Sequence, residues 1–142
     1  MPGIVVGIDG SAGSHKALEW AAREAAAHHA PLIVLTVNPI ADNYWIGSPI
    51  IPASRPQQDK FRQAAQDAAD KVTSELGDQQ PASVTIQAVD GIIAEELLRA
   101  SRDAELLVVG SRGGGGFTAL RLGSVSAQVT EHTPCPVVVI PS

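Results

Sequence analysis

The sequence predicts an α/β fold, a single doubly wound five-stranded parallel sheet with helices on both faces. Three observations lead there. Short Val/Ile/Leu-rich runs recur along the chain, longer stretches with apolar residues every three or four positions separate them, and the runs are nearly continuous rather than alternating. Continuous apolar runs suit strands covered on both faces, and strict alternation of strand and helix implies right-handed crossovers. The 142 residues are read as one domain, residues 1–142, long enough to bury a core of its own.

Taken in order, Ile4–Ile8 is the first strand, and the helix of Ser14–His29 follows with Ala17, Leu18, Ala21, Ala22 and Ala25 on one face. Leu32–Val37 is the second strand. The next helix spans Gln57–Leu76, with the stripe Phe61, Ala65, Ala68, Val72 and Leu76. Val84–Val89 alternates more than the other runs and is the third strand. Ile93–Ser101 is helical, Leu106–Val109 is the fourth strand, a helix runs from about Ser124 to His132, and Val137–Ile140 is the last strand. Between the second strand and second helix, residues 38–56 carry four prolines together with Tyr44 and Trp45. A loop of that length in a compact domain is usually functional. Tyr44 and Trp45 fit either ligand or partner contacts, or a flap resting on the domain.

Only 4% of the residues are aromatic, so the core must be made of Val, Ile, Leu and Ala. Ten basic residues against fifteen acidic ones give a net charge of −5, which argues against a nucleic-acid partner. A small anion remains compatible, because backbone N–H groups bind phosphate without cations. Cys135 is the single cysteine and is read as a small buried residue; no intrachain disulfide is available, and a reducing, cytoplasmic setting is expected. The apolar start lacks the basic region and cleavage site of a signal peptide, and no run approaches a membrane span of about 20 residues.

The segment with chemical content begins where the fourth strand ends, at Gly110. A glycine-rich stretch follows, Gly113–Gly116 being consecutive, before Gly123-Ser124 opens a helix. Glycine lets backbone N–H groups approach a ligand closely, and successive N–H groups form anion-binding concavities. A serine cap and the positive end of a helix add to this, and together they describe a phosphate site. The stretch is neither a Walker A loop nor a dinucleotide fingerprint, which needs its glycines at the first strand–helix turn.

The spacing Gly110-x-x-Gly113, nine residues, then Gly123-Ser124 resembles the G-2x-G-9x-G-[S/T] motif of the ATP-binding branch of the universal stress protein family. The opening Ile4-Val-Val-Gly-Ile-Asp-Gly-Ser11 resembles that family's first strand and Asp-x-Ser turn, and Thr133–Ile140 resembles its last strand. Ile92 departs from the pattern, standing where many members have proline. The resemblance implies an adenine nucleotide alpha-hydrolase-like sheet of order 3-2-1-4-5 and assigns roles by position. Gly7 and Asp9 end the first strand, Asp9 on the adenosine end of the ligand. Val37 packs on adenine, Val109 and Gly110 line the ribose, and Gly113, Gly123, Ser124 and Val125 hold the phosphates. ATP is the implied cofactor, with Mg²⁺ entering through its phosphates. The family also implies a homodimer through Val137–Ile140. Each strand-end residue fits the general rule that ligands of doubly wound sheets sit at carboxyl ends of strands, at the switch point.

Individual residues have plainer readings beside these. Asp9 and Ser11 fit the cap of the first helix as well. Arg112 and Arg121 fit either triphosphate neutralisation or solvated loop positions. The histidines, His15, His28, His29 and His132, lack metal-ligand spacing. No Ser-His-Asp order, nucleophile elbow or Cys-His pairing stands out. The expected function is thus a nucleotide-dependent regulatory or stress-response module with at most slow ATP hydrolysis. The alternatives are an interaction module using cyclic AMP or no nucleotide, and an ATP pyrophosphatase, whose Ser-Gly-Gly-x-Asp-Ser loop the segment Gly7–Gly13 does not match.

Overall fold

A computed structural model describes residues 3–39, 54–111 and 124–141. The chain alternates β1 (Ile4–Ile8), α1 (Ala12–His28), β2 (Pro31–Pro39), α2 (Ser54–Ser74), β3 (Ser83–Gly91), α3 (Ile93–Ser101), β4 (Leu106–Gly110), α4 (Ser124–His132) and β5 (Val137–Ile140). All five strands are parallel, in the order β3-β2-β1-β4-β5. This is the architecture expected from the alternation of strand and helix.

Two apolar layers sandwich the sheet. On one face Ile4, Val6, Leu32, Val34 and Val108 meet Ala17, Leu18, Ala21 and Ala25 of α1 and Ala65, Ala69 and Val72 of α2. On the other, Val5, Leu35, Leu107 and Val109 meet Ala94 and Leu97 of α3 and Val129 of α4. Alternation of side chains along each strand divides them between the two layers. The small alanines of α1 bring that helix close to the central strands, as a core nearly free of aromatics requires.

The second helical stripe differs from expectation. Ala65, Ala69 and Val72 are its buried positions, whereas Phe61 is 37% exposed and Leu76 lies beyond the helix end. Helix α2 covers the edge strand β3, where the layer beneath it thins. Along one face of β3 burial deepens from exposed Val84 at its start to buried Ala88. Helices α1 and α2 start earlier than their apolar spacing indicates, β2 and β3 extend past their apolar runs at both ends, and β4 ends one residue later, at Gly110.

Gly7 is constrained by this core. A Cβ built there would stand 2.6 Å from Cδ2 of Leu97, a buried residue of α3. Gly7→Ala is expected to lower the unfolding free energy by about 1–3 kcal/mol through overpacking, and by much less when Leu97 is also shortened to Ala. Equal losses in both backgrounds, measured by urea denaturation, would show that Leu97 is not what the added methyl meets.

Candidate functional site

The sheet opens at one place. β1 pairs with β2 along its whole length, from Ile4↔Leu32 to Ile8↔Thr36, and β4 pairs with β5 up to Gly110↔Ile140. Between β1 and β4 the pairing stops at Val6↔Val108, two residues before either strand ends. Helices α1 and α2 lie on one face and α3 and α4 on the other, so β1 and β4 flank the switch point. The carboxyl ends of these two strands therefore separate into a crevice, the place where open α/β sheets take ligands.

One wall is the turn from β1 into α1. Gly10, with φ at +86°, adopts a left-handed conformation that glycine accommodates without strain. Around it three side chains are joined by hydrogen bonds. Ser11 donates to Asp9 Oδ1 from its backbone N–H (2.9 Å) and its hydroxyl (2.5 Å). Ser11 Oγ accepts from the Ser14 N–H at 3.1 Å, as the cap of α1. Ser14 Oγ accepts from the Asp9 N–H and donates to the Ser11 carbonyl, both at 3.1 Å. Asp9 is thereby held in one orientation at the exposed lip of the crevice.

The opposite wall is the end of β4. The Leu107 N–H donates to the Pro136 carbonyl and the Ser111 N–H to the Ile140 carbonyl. Main-chain groups alternate sides along a strand, so Val108 and Gly110 turn theirs toward β1. Gly110 lies past the last β1–β4 pair, and its carbonyl accepts instead from Ser126 Oγ of α4 at 2.7 Å. Ser126 is buried, with 4% of its surface exposed.

Of the residues singled out by sequence, Gly7, Asp9, Val37, Val109 and Gly110 all fall at carboxyl ends of strands. The side chains of Val37, Val109 and Val125 belong to the α3/α4 layer, and Val109 is fully in the core, so any ligand contact there is through its main chain. Gly7 is occupied from the same side by Leu97. Ser124 is the first residue of α4. Gly113, Gly123, Arg112, Arg121, Tyr44 and Trp45 lie outside the described residues. Among the described residues, no group of three or more His, Cys, Asp or Glu is arranged to hold a metal, and no helix is long and apolar enough to cross a membrane. Cys135 is half-buried and free.

Sequence reasoning missed Ser14, Ser126 and the Asn38–Asp90 pair. Asn38 is buried and donates from Nδ2 to Asp90 Oδ1 at 3.0 Å, joining the ends of β2 and β3. For Ser126 a signal was present: it shares the i, i+3 face of α4 with buried Val129, and a hydroxyl on an apolar face needs a partner.

Residues 2–141 match the model of the universal stress protein family. The chain belongs to this family. Similar curated members include a universal stress protein of Mycobacterium tuberculosis, 38% identical over 140 residues, and one of Mycolicibacterium smegmatis, 34% identical over 139. Each alignment covers 97% of this chain but 47% of the relative, so the chain spans about half the length of the curated universal stress proteins it matches. Among solved structures, the universal stress protein UspA of Lactobacillus plantarum superposes with a TM-score of 0.75 at 23% identity, covering 98% of this chain and 97% of that one. A universal stress protein in complex with cAMP gives 0.69 at 27% identity over 99% and 96% of the two chains. One from Archaeoglobus fulgidus in complex with dAMP gives 0.65 at 20% over 99% and 98%.

The turn at Asp9 is the described part of the site most exposed to a single change. Ser11→Ala removes the α1 cap and is expected to cost about 1 kcal/mol of stability, while Ser11→Thr retains most of it. Chemical denaturation distinguishes these; an unchanged Ser11→Ala midpoint would mean that Ser11 does not cap α1.

Proposed function

We propose that this chain is an adenine-nucleotide-binding module that holds ATP across the split between β1 and β4. It acts as a regulatory or stress-response element with at most slow hydrolysis. The observation that carries this reading is the crevice itself: pairing ends at Val6↔Val108, with Asp9 pinned on one lip and Gly110 on the other. Gly110 is also the first residue of the Gly110-x-x-Gly113-x9-Gly123-Ser124 spacing. In this reading Asp9 and Val37 receive the adenosine, Val109 and Gly110 the ribose through their main chain, and Gly113, Gly123, Ser124 and Val125 the phosphates. Mg²⁺ enters only on the phosphates. Two relatives of this fold were solved with cAMP and dAMP, the first at 27% identity, which supports an adenine nucleotide and makes cyclic AMP the second reading.

Protein purified without added nucleotide and then denatured is expected to release ATP, identified by chromatography and mass. Gly123→Val, which puts a branched side chain where phosphate must approach, is expected to release none. Cyclic AMP in the supernatant would favour the second reading. Native protein that releases nothing and binds no ATP at millimolar concentration would refute the nucleotide assignment.

The same reading includes a cytoplasmic homodimer formed through β5. Its four residues, Val137–Ile140, are all apolar and half-buried at the sheet edge. On the opposite edge Arg62 Nη1 donates to the Ile86 carbonyl of β3 at 3.2 Å, covering a main-chain group there. Exposed strand edges invite pairing, and charged side chains discourage it. Sedimentation at micromolar concentration is expected to give twice the chain mass, and Val139→Lys to give the monomer. A native monomer would count against pairing through β5.

A further inference from the structure

Asp9 sits between Ile8, the last residue of β1, and Gly10, whose φ of +86° turns the chain toward α1. Glycine has more conformational freedom than any other residue, so such a turn does not by itself hold its neighbour in place. Two serines at the start of α1 supply what the turn lacks, and they do different things. Ser11 donates to Asp9 Oδ1 from its N–H and its hydroxyl. It lies just past Gly10 on the same turn, so it sets the direction of the carboxylate within the turn, not the place of the turn on the sheet.

Ser14 makes the connection to the core. It is 5% exposed in the first turn of α1, ahead of Ala17 and Leu18, which pack against the sheet. Its hydroxyl has one hydrogen to give and lone pairs to receive. The hydrogen goes to the Ser11 carbonyl and the Asp9 N–H donates to the oxygen, both at 3.1 Å. The Ser14 N–H donates in turn to Ser11 Oγ, the oxygen whose hydrogen binds Asp9. One buried side chain thus ties the Asp9 main chain to α1 across five positions of sequence, in direct contact with the serine that aims its carboxylate.

We infer that Ser14 is a positioning residue for the adenosine end of the nucleotide site, fixing the Asp9 carboxylate in place through the Asp9 main chain. It acts through Asp9 and need not touch the ligand. The inference rests on the nucleotide reading above.

Its test is a double-mutant cycle on ATP affinity, measured by calorimetry in the full chain well below its unfolding midpoint. Ser14→Ala removes the acceptor of the Asp9 N–H and keeps the Ser14 N–H that Ser11 caps. It is expected to weaken ATP about fivefold, the equivalent of one lost hydrogen bond. In an Asp9→Ala background, which keeps the main-chain N–H and lacks the carboxylate, Ser14→Ala is expected to change the affinity by less than twofold. If Asp9→Ala leaves no measurable binding, Asp9→Asn takes its place, with a smaller Ser14→Ala effect than in the native background. If Ser14→Ala does not fold, Ser14→Cys, of similar size with a weak acceptor, carries the same cycle. A serine that only stabilises the fold lowers the urea midpoint and leaves the affinity of the folded protein unaltered. That result, or an equal loss of affinity in both backgrounds, overturns the role of Ser14 and leaves the nucleotide reading standing. Native protein that binds no ATP overturns both.

Discussion

Right-handed crossover is the constraint on which the rest of this molecule depends. A parallel strand–helix–strand unit closes in one hand, so the direction in which strands are added decides the face each helix covers. From β1 the chain steps to β2 and then β3, placing α1 and α2 on one face; it then returns past β1 to add β4 and β5, placing α3 and α4 on the other. The helices that follow β1 and β4 in the chain, α1 and α4, consequently lie on opposite faces. The loss of pairing after Val6↔Val108 falls at this switch point.

Opening a sheet at its centre leaves main-chain groups to satisfy and core to fill, and the neighbouring residues do both. Gly7 gives up its side chain so that Leu97 can reach β1 from below the crevice. Ser14 accepts the Asp9 N–H, and Ser126 donates to the Gly110 carbonyl, each from the first turn of the helix that follows. No buried side-chain polar atom among the described residues lacks a partner. The two walls are therefore built alike, a strand end tied by a serine to the start of its own crossover helix. Rigid strands with short polar ties are a firmer base for a ligand than a long loop alone.

Much of this was legible in the sequence, because period and composition act locally. Five apolar runs became five strands, and the helices between them follow the alanine and leucine spacing. Boundaries were less legible where two rules compete. Pro56 reads as loop, yet it falls in the first turn of α2, where the missing N–H has no intrahelical partner to lose. Pro39 falls in the stretch read as loop but is the last residue of β2, and Pro31 is its first, both strand-end positions that tolerate proline. Gly7, Asp9 and Gly110 were singled out by the resemblance to the family, and they lie at or beside the carboxyl ends of β1 and β4. The ties made by Ser14 and Ser126, and the contact of Leu97 with Gly7, depend on distances between elements that no local pattern encodes.

The make-up of the crevice also bears on what kind of work it suits. The chain carries a net charge of −5, and Asp9 commits Oδ1 to two hydrogen bonds from Ser11. An anionic ligand here would be met mainly by main-chain N–H groups and the positive end of α4, which hold a phosphate by position rather than by net charge. Donors fixed by strands and helix starts need no reorganisation as charge shifts on a bound phosphate, so what they contribute is electrostatic positioning. Fast turnover would require a group placed to act only on the reacting atoms, and the carboxylate nearest the split is already engaged in shaping its own turn. A split made this way supplies positioned main-chain groups where β1 and β4 no longer pair.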